Sequence, residues 1–187
     1  MKEQHLANKT SWRTVELLLL CTTLVVKAIL FTMRFNVSYG YDVGGHLQAM
    51  NTISWLHPFF DLHEFYYATH PPLGYLLANT LLPLGITPVA AAQTVAFIAS
   101  IAILLFLRGT LARLKLLKHP GAIAFLYITC NLPLQSYMMV AVNLDVIVFA
   151  WACVVLYETV RLDRMEGKRL LCIHTVLAGL FLAAGCL

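Results

Sequence analysis

The sequence predicts an all-α, polytopic transmembrane protein of about five spans, with amphipathic or re-entrant helices in its first outer loop. Composition is the first reason, because 60% of the residues are hydrophobic and only 12% are charged. Soluble domains have roughly 45–50% apolar and about 25% charged residues. The mean hydropathy of +0.76 also indicates that lipid is part of the solvent. The second reason is that long apolar runs alternate with short basic segments. We expect residues 1–187 to form a single membrane-embedded unit.

The first two spans are uninterrupted apolar runs. The run 17–33 follows three basic residues and ends at Arg34 without a small-residue cleavage site, so we interpret it as a retained span and not as a signal peptide. The run 88–107 contains twenty uncharged residues, the length that crosses a bilayer core. Lys27 lies inside the first span, and its long side chain is expected to snorkel to the interface.

The next two spans are predicted as a helical hairpin. Between His119 and Tyr157 the only charged residue is Asp145, and this stretch is too long for one span. We expect the turn near 131–135, where Pro133 breaks the helix. A last apolar run completes the set. The predicted spans are therefore 17–33, 88–107, 119–134, about 138–158 and 170–187.

Positive charge predicts the orientation. Eleven of the thirteen basic residues fall in three segments, and cytoplasmic loops collect such residues. The N-terminus is therefore expected in the cytoplasm and the loop 34–87 outside. This assignment requires that the apolar stretch 70–85, which Pro83 interrupts, does not cross, so we predict a re-entrant or interfacial helix there. The three basic segments are 2–13, 108–118 and 161–169.

An acid and a histidine stand out in "YGYDVGGHLQ", at the start of the outer loop. After Arg34 this loop holds no Lys or Arg that could neutralise Asp42. Apolar residues at helical spacing over 42–56 predict an amphipathic helix on the outer leaflet, with Asp42 as or near its N-cap. Simple helix capping is thus the alternative to a chemical role. His46 follows one turn later, so we expect the two side chains to share a face.

Two further motifs are predicted on the same side of the membrane. "THPPLGYLL" places His70 at the start of a helix that Pro71 and Pro72 can open, and helix initiation alone is the alternative. "VNLD" places Asn143 and Asp145 near the outer end of the fourth span. An acid there is costly in lipid and is expected to face a cavity or a partner.

Several function classes are not favoured by the sequence. No basic stripe with interleaved aromatics indicates nucleic-acid binding. The five cysteines lie in apolar runs and form no CxxC pair, so we interpret them as small hydrophobic residues. Four outer histidines with Asp61 and Glu64 suggest a metal site, but no pair has the HExxH spacing. We therefore predict no metal site built from protein ligands alone.

Taken together, these motifs resemble the N-terminal part of a GT-C membrane glycosyltransferase, closest to the protein O-mannosyltransferase and aminoarabinose transferase groups. The resemblance runs from about residue 10 to the end and rests on "YD..GH", "HPPLGYLL", a span with a basic loop, "NLPL" and "VNLD". The essential acid of the family's first outer loop maps onto Asp42. Many members have Asp-Glu where this chain has Asp42-Val43, so a second acid is missing here.

The resemblance implies transfer of a sugar from a polyprenyl-phosphate sugar to an acceptor on a protein, lipid or glycan. The reaction would be inverting and would take place on the outer or lumenal face of a multi-pass protein of the bacterial inner membrane or the endoplasmic reticulum. Asp42 would be the base, and a divalent metal is compatible with the reaction. The implied substrate-binding residues are His46, His70, Asn143, Asp145 and Arg34.

The family members are considerably longer than this chain, so we expect the 187 residues alone to be an incomplete enzyme with little turnover. The alternative is a different class of protein. It is a non-catalytic truncated membrane protein, a regulatory subunit or a fragment of a transporter, since buried polar residues also mark transporter paths. No inverted repeat is visible among the five predicted spans.

Overall fold

The computed structural model describes residues 2–38, 42–58, 72–142 and 144–163. These residues form an all-α helical membrane protein, as predicted, with seven α-helices, two short 3₁₀ turns and no strand among them. The 3₁₀ turns are Leu82–Leu84 and Leu116–Lys118. The α-helices are α1 (Lys2–Arg34), α2 (Val43–Thr52), α3 (Leu73–Asn79), α4 (Pro88–Arg113), α5 (Pro120–Cys130), α6 (Pro133–Val140) and α7 (Val146–Leu162).

Two helices in the described part of the chain are long and apolar enough to cross a membrane. They are the Trp12–Arg34 part of α1 and the whole of α4, which confirms the first two predicted apolar spans. The bent pair α5 and α6 is a third if it counts as one span. α7 has 17 residues, or about 26 Å of rise, slightly less than a hydrocarbon core. The predicted span 170–187 lies outside the described residues.

The long helices alternate in direction along the bundle. Arg108, near the end of α4, pairs with Glu16 of α1, and Arg113 contacts Tyr157 of α7. At the other extremity, Gln93 near the start of α4 bonds the carbonyl of Val140, the last residue of α6. α1 and the α5–α6 pair therefore run one way, while α4 and α7 run the other way.

The basic residues of these segments whose side chains the structure describes lie at one end of this bundle, as the charge pattern predicts. We call it the basic end, and its described cations are Arg13, Arg108, Arg113, Lys115, Lys118 and Arg161. The sequence did not indicate the main contact at the basic end, which is centred on Glu16. The carboxylate of Glu16 accepts two bonds from the guanidinium of Arg108, at 2.7 and 3.1 Å, and a third from the Tyr127 hydroxyl at 2.9 Å. This network ties α1, α4 and α5 together.

The prediction of a helical hairpin is correct about the helix break at Pro133 and wrong about where the chain reverses direction. Pro133 opens α6 and no helix continues through 131–132, because proline cannot donate the hydrogen bond that a helix interior needs. However, α5 and α6 bend by only 41°, so the chain continues in the same general direction. The reversal lies instead between the end of α6 at Val140 and the start of α7 at Val146.

Lys27 does not snorkel to the interface. Its side chain is 1% exposed, and its Nζ donates to Ser100 Oγ of α4 at 2.7 Å. The expectation failed because Lys27 lies on the face of α1 that packs against the bundle. Helical side chains also lean towards the helix N-terminus, which directs this one away from the nearer end of α1.

The described stretch 72–87 forms a short helix and a 3₁₀ turn and does not span. α3 has seven residues, and Leu73–Leu84 as a whole is shorter than a bilayer crossing. α3 packs against α2 and α4, while Thr87, which caps α4, bonds Asn36 just after α1. Both ends of the 72–87 segment thus lie at the end opposite the basic end. We call this the α2–α3 end.

α2 is shorter than predicted and is packed more deeply. It ends at Thr52, and Trp55 beyond it is 55% exposed. The apolar residues expected on the membrane-facing side do occupy one face, but Met50 and Ile53 are buried in the protein core, and Val43 and Leu47 pack against that core. The apolar face of α2 therefore covers the bundle.

Candidate functional site

Asp42 stands immediately before α2 with its carboxylate exposed. Its backbone is left-handed, at φ 61° and ψ 20°, a conformation that Asp tolerates better than most residues. Its carbonyl accepts the first helical bond, from the amide of His46 at 3.1 Å. The side chain makes no capping hydrogen bond. The capping explanation for an acid at this position therefore lacks the bond on which it depends.

His46 faces the interior and does not share an exposed face with Asp42. It is 3% exposed, and its Nδ1 lies 2.9 Å from the hydroxyl of Tyr75 in α3. The expected shared face fails because Asp42 precedes the helix in a left-handed conformation, so helical i, i+4 spacing does not apply to it. Tyr75 is itself 1% exposed, and the pair fixes α2 on α3.

Asn79 joins the same two helices at their other end. Its Nδ2 donates to the carbonyls of Met50 and Ile53, at 2.8 and 2.7 Å, where α2 ends. These carbonyls have no partner within the helix, so a side-chain donor is what they need. Together, His46–Tyr75 and Asn79 hold α2 at two points, which sets the position of Asp42 relative to α3.

Asp145 lies at the start of α7, next to α3. It occupies the N-cap position, is partly buried and makes no capping hydrogen bond. The flanking residues Leu144 and Ile147 pack directly on Gly74 of α3, so closely that no side chain fits there. The structure thus brings together the "HPPLGYLL" and "VNLD" motifs, which are about seventy residues apart in the sequence.

Gln93 of α4 connects the segments that follow α1 and α6, and sequence analysis did not identify it. It is 1% exposed. Its Nε2 lies 3.1, 3.0 and 2.8 Å from the carbonyls of Arg34, Val37 and Val140, and its Oε1 accepts from the amide of Asn36 at 2.8 Å. The available signal was an amide side chain inside a run of alanines and other apolar residues.

The remaining predicted site residues are located as follows. Arg34 is exposed at the end of α1, at the α2–α3 end. His70 and Asn143 lie outside the described residues, as do Asp61 and Glu64. Within the described ranges, no group of three His, Cys, Asp or Glu side chains converges to hold a metal ion.

Comparison with known proteins adds no relative: no family model, no curated protein and no solved structure matches the sequence.

Proposed function

We propose that this chain is the acceptor-activating part of a GT-C type membrane glycosyltransferase. One observation carries the proposal. Three of the motifs that support the resemblance, "YD..GH", "HPPLGYLL" and "VNLD", meet at one end of the bundle through His46–Tyr75 and Gly74–Leu144, and the carboxylate of Asp42 is exposed there without a capping bond. A packing role alone does not call for an exposed acid at this point.

The proposed reaction transfers a sugar from a polyprenyl-phosphate sugar to a hydroxyl or amine. Asp42 takes the proton of the acceptor while its oxygen or nitrogen attacks the anomeric carbon, and the bond from that carbon to the phosphate oxygen breaks. Polyprenyl phosphate leaves with the bonding electrons. A general base has to reach the proton directly, which favours an exposed carboxylate over a buried one.

Other residues at this end have supporting roles in the proposal. Arg34 is a cation suited to the charge of the leaving phosphate, and Asp145 is placed to contact the sugar or the acceptor. His46 is buried against Tyr75, so its role is to hold α2 in place. His70 and Asn143 complete the proposed set from the resemblance.

The proposal also includes an orientation. The N-terminus and the basic end lie in the cytoplasm, and the α2–α3 end faces the outside or the lumen. This arrangement follows from the preference of cytoplasmic loops for Lys and Arg. The chain then crosses the bilayer several times, in the bacterial inner membrane or in the endoplasmic reticulum.

The test is transfer from a panel of radiolabelled polyprenyl-phosphate sugars in membranes that carry the chain with any downstream sequence of its reading frame. We expect one donor to label an acceptor, and Asp42→Asn to abolish the labelling. A non-catalytic membrane protein would give no labelling above membranes without the chain, for any donor.

A further inference from the structure

Lys27 is a buried cation whose only described hydrogen-bond partner is neutral. The side chain is 1% exposed, and Nζ bonds Ser100 Oγ at 2.7 Å. In the part of the chain that the structure describes, no carboxylate forms an ion pair with it, whereas Arg108 at the basic end is neutralised by Glu16. A charge inside a membrane is costly, and such a residue marks a functional site more often than a structural one.

The surroundings of Lys27 offer more hydrogen-bond donors than acceptors. Ser100 is fully buried, and its Oγ also lies 3.4 Å from Nε2 of Gln135 in α6. A hydroxyl has two lone pairs, so two incoming bonds leave its own hydrogen for another acceptor. The ammonium has three hydrogens and the amide has two. An acceptor with several oxygens and a negative charge would satisfy this cluster.

The cluster lies beside the break between α5 and α6. Gln135 is in the first turn of α6, and the two helices bend by 41°. The N-terminus of a helix is the positive end of its dipole, and membrane proteins use interrupted helices to bind anionic groups. At the break, Leu132 and Leu134 are 47% and 66% exposed. The break therefore lies at the surface of the bundle, and Gln135 beside it is only partly buried.

We propose that Lys27, Ser100 and Gln135 form a binding site for the phosphodiester of an anionic membrane phospholipid. The single positive charge matches a monoanion, and a phosphodiester supplies the oxygens that the donors lack. Lys27 lies seven residues from the end of α1, about 10 Å along the axis, so the headgroup enters the bundle sideways at the break. This site does not depend on the proposed sugar transfer.

Native mass spectrometry of the 187-residue chain in detergent tests the proposal by titration with phosphatidylglycerol. Lys27→Met keeps most of the length of the side chain and removes the charge, and we expect phosphatidylglycerol affinity to fall about tenfold or more, as for a lost charge-assisted bond. Lys118→Met, at the exposed basic end, is the matched control and should leave the affinity within about twofold. Diacylglycerol with the same acyl chains should not bind to the site.

Two outcomes would overturn the proposal. Equal phosphatidylglycerol affinity in the wild type and Lys27→Met would mean that Lys27 is a neutral structural residue. Binding of inorganic phosphate that depends on Lys27, without binding of the lipid, would exclude a lipid headgroup. If Lys27→Met does not fold, as judged by circular dichroism, the same titration is carried out with Gln135→Leu, because Gln135 is only partly buried. The experiment measures lipid binding and not sugar transfer, so its result does not depend on whether Asp42 is catalytic.

Discussion

A Cβ atom on Gly74 would lie 2.9 Å from the Cβ of Leu144 and 2.9 Å from the Cδ1 of Ile147. Separations this short do not occur between real side chains, so α3 and the start of α7 approach as closely as they do only because residue 74 is glycine. This contact fixes the position of the turn that carries Asp145. It is also where two motifs of the candidate site meet.

Gly74→Ala should therefore destabilise the protein by about 1–3 kcal/mol, the usual cost of overpacking. The measurement is thermal unfolding in detergent, followed by circular dichroism. Gly44→Ala is the control, because a Cβ there meets nothing within 4 Å, and alanine in a helix is favoured over glycine by roughly 0.5–1 kcal/mol. Equal stability of Gly74→Ala and the wild type would mean that α3 and α7 do not pack as described.

Gln93→Leu should cost about 3 kcal/mol of stability. The substitution removes the hydrogen-bond partner of up to three backbone carbonyls and one backbone amide. Each buried polar group left without a partner costs about 1–3 kcal/mol. The cost is smaller at Arg34 and Val37, which are exposed and can bond water. Gln48→Leu, on the exposed side of α2, is the matched control and should be nearly silent. Both are compared by unfolding in detergent. Similar behaviour of the two variants would show that Gln93 does not connect the two segments.

The Glu16–Arg108 pair predicts a coupling between α1 and α4. Glu16→Gln and Arg108→Gln should each destabilise the chain by about 1–2 kcal/mol, less than a fully buried pair because the side chain of Arg108 is 35% exposed. The double variant should cost clearly less than the sum of the two. Additive losses in the same unfolding experiment would mean that the two groups do not interact. Arg13→Gln, exposed at the same end, controls for charge alone.

Continuous hydropathy was enough to predict the apolar runs 17–33 and 88–107, which lie within the helices Trp12–Arg34 and Pro88–Arg113. Proline chemistry was enough to predict the break before Pro133. These features depend on local sequence. The direction in which Lys27 points was not predictable, because it depends on which face of α1 meets α4. An apolar helix such as α4 shows no clear periodicity, so the pattern does not distinguish a lipid neighbour from a protein neighbour.

The candidate site was predicted in part. The sequence indicated Asp42, the "HPPLGYLL" motif and Asp145 as members. The distribution of Lys and Arg alone predicted that they lie at the same end of the bundle. The roles of Tyr75, Gly74 and Gln93 could not be read from the sequence, because each contacts residues that are distant along the chain. The burial of His46 was missed for a different reason, since a left-handed Asp42 breaks the helical spacing that was assumed.

The orientation is testable by cysteine labelling. In a variant without native cysteines, Leu56→Cys and Lys115→Cys place single thiols at the α2–α3 end and the basic end, at exposed positions. We expect a membrane-impermeant maleimide to label Leu56→Cys only from the outer or lumenal side, and Lys115→Cys only from the cytoplasmic side. Labelling of both from the same side would contradict the proposed topology.

Asp42→Asn distinguishes a catalytic base from a carboxylate with a structural role. Asparagine has nearly the same size and adopts the left-handed conformation readily, so folding and insertion should be retained. It cannot accept the proton, and loss of a general base typically costs about 10²–10⁴-fold in rate. Transfer is measured with the labelled donor that the wild type accepts, in membranes with matched protein content. Asp163→Asn, exposed at the basic end, is the control and should keep full activity. If Asp42→Asn transfers sugar at the wild-type rate, Asp42 is not the base, and the base of the proposed reaction has to be sought elsewhere.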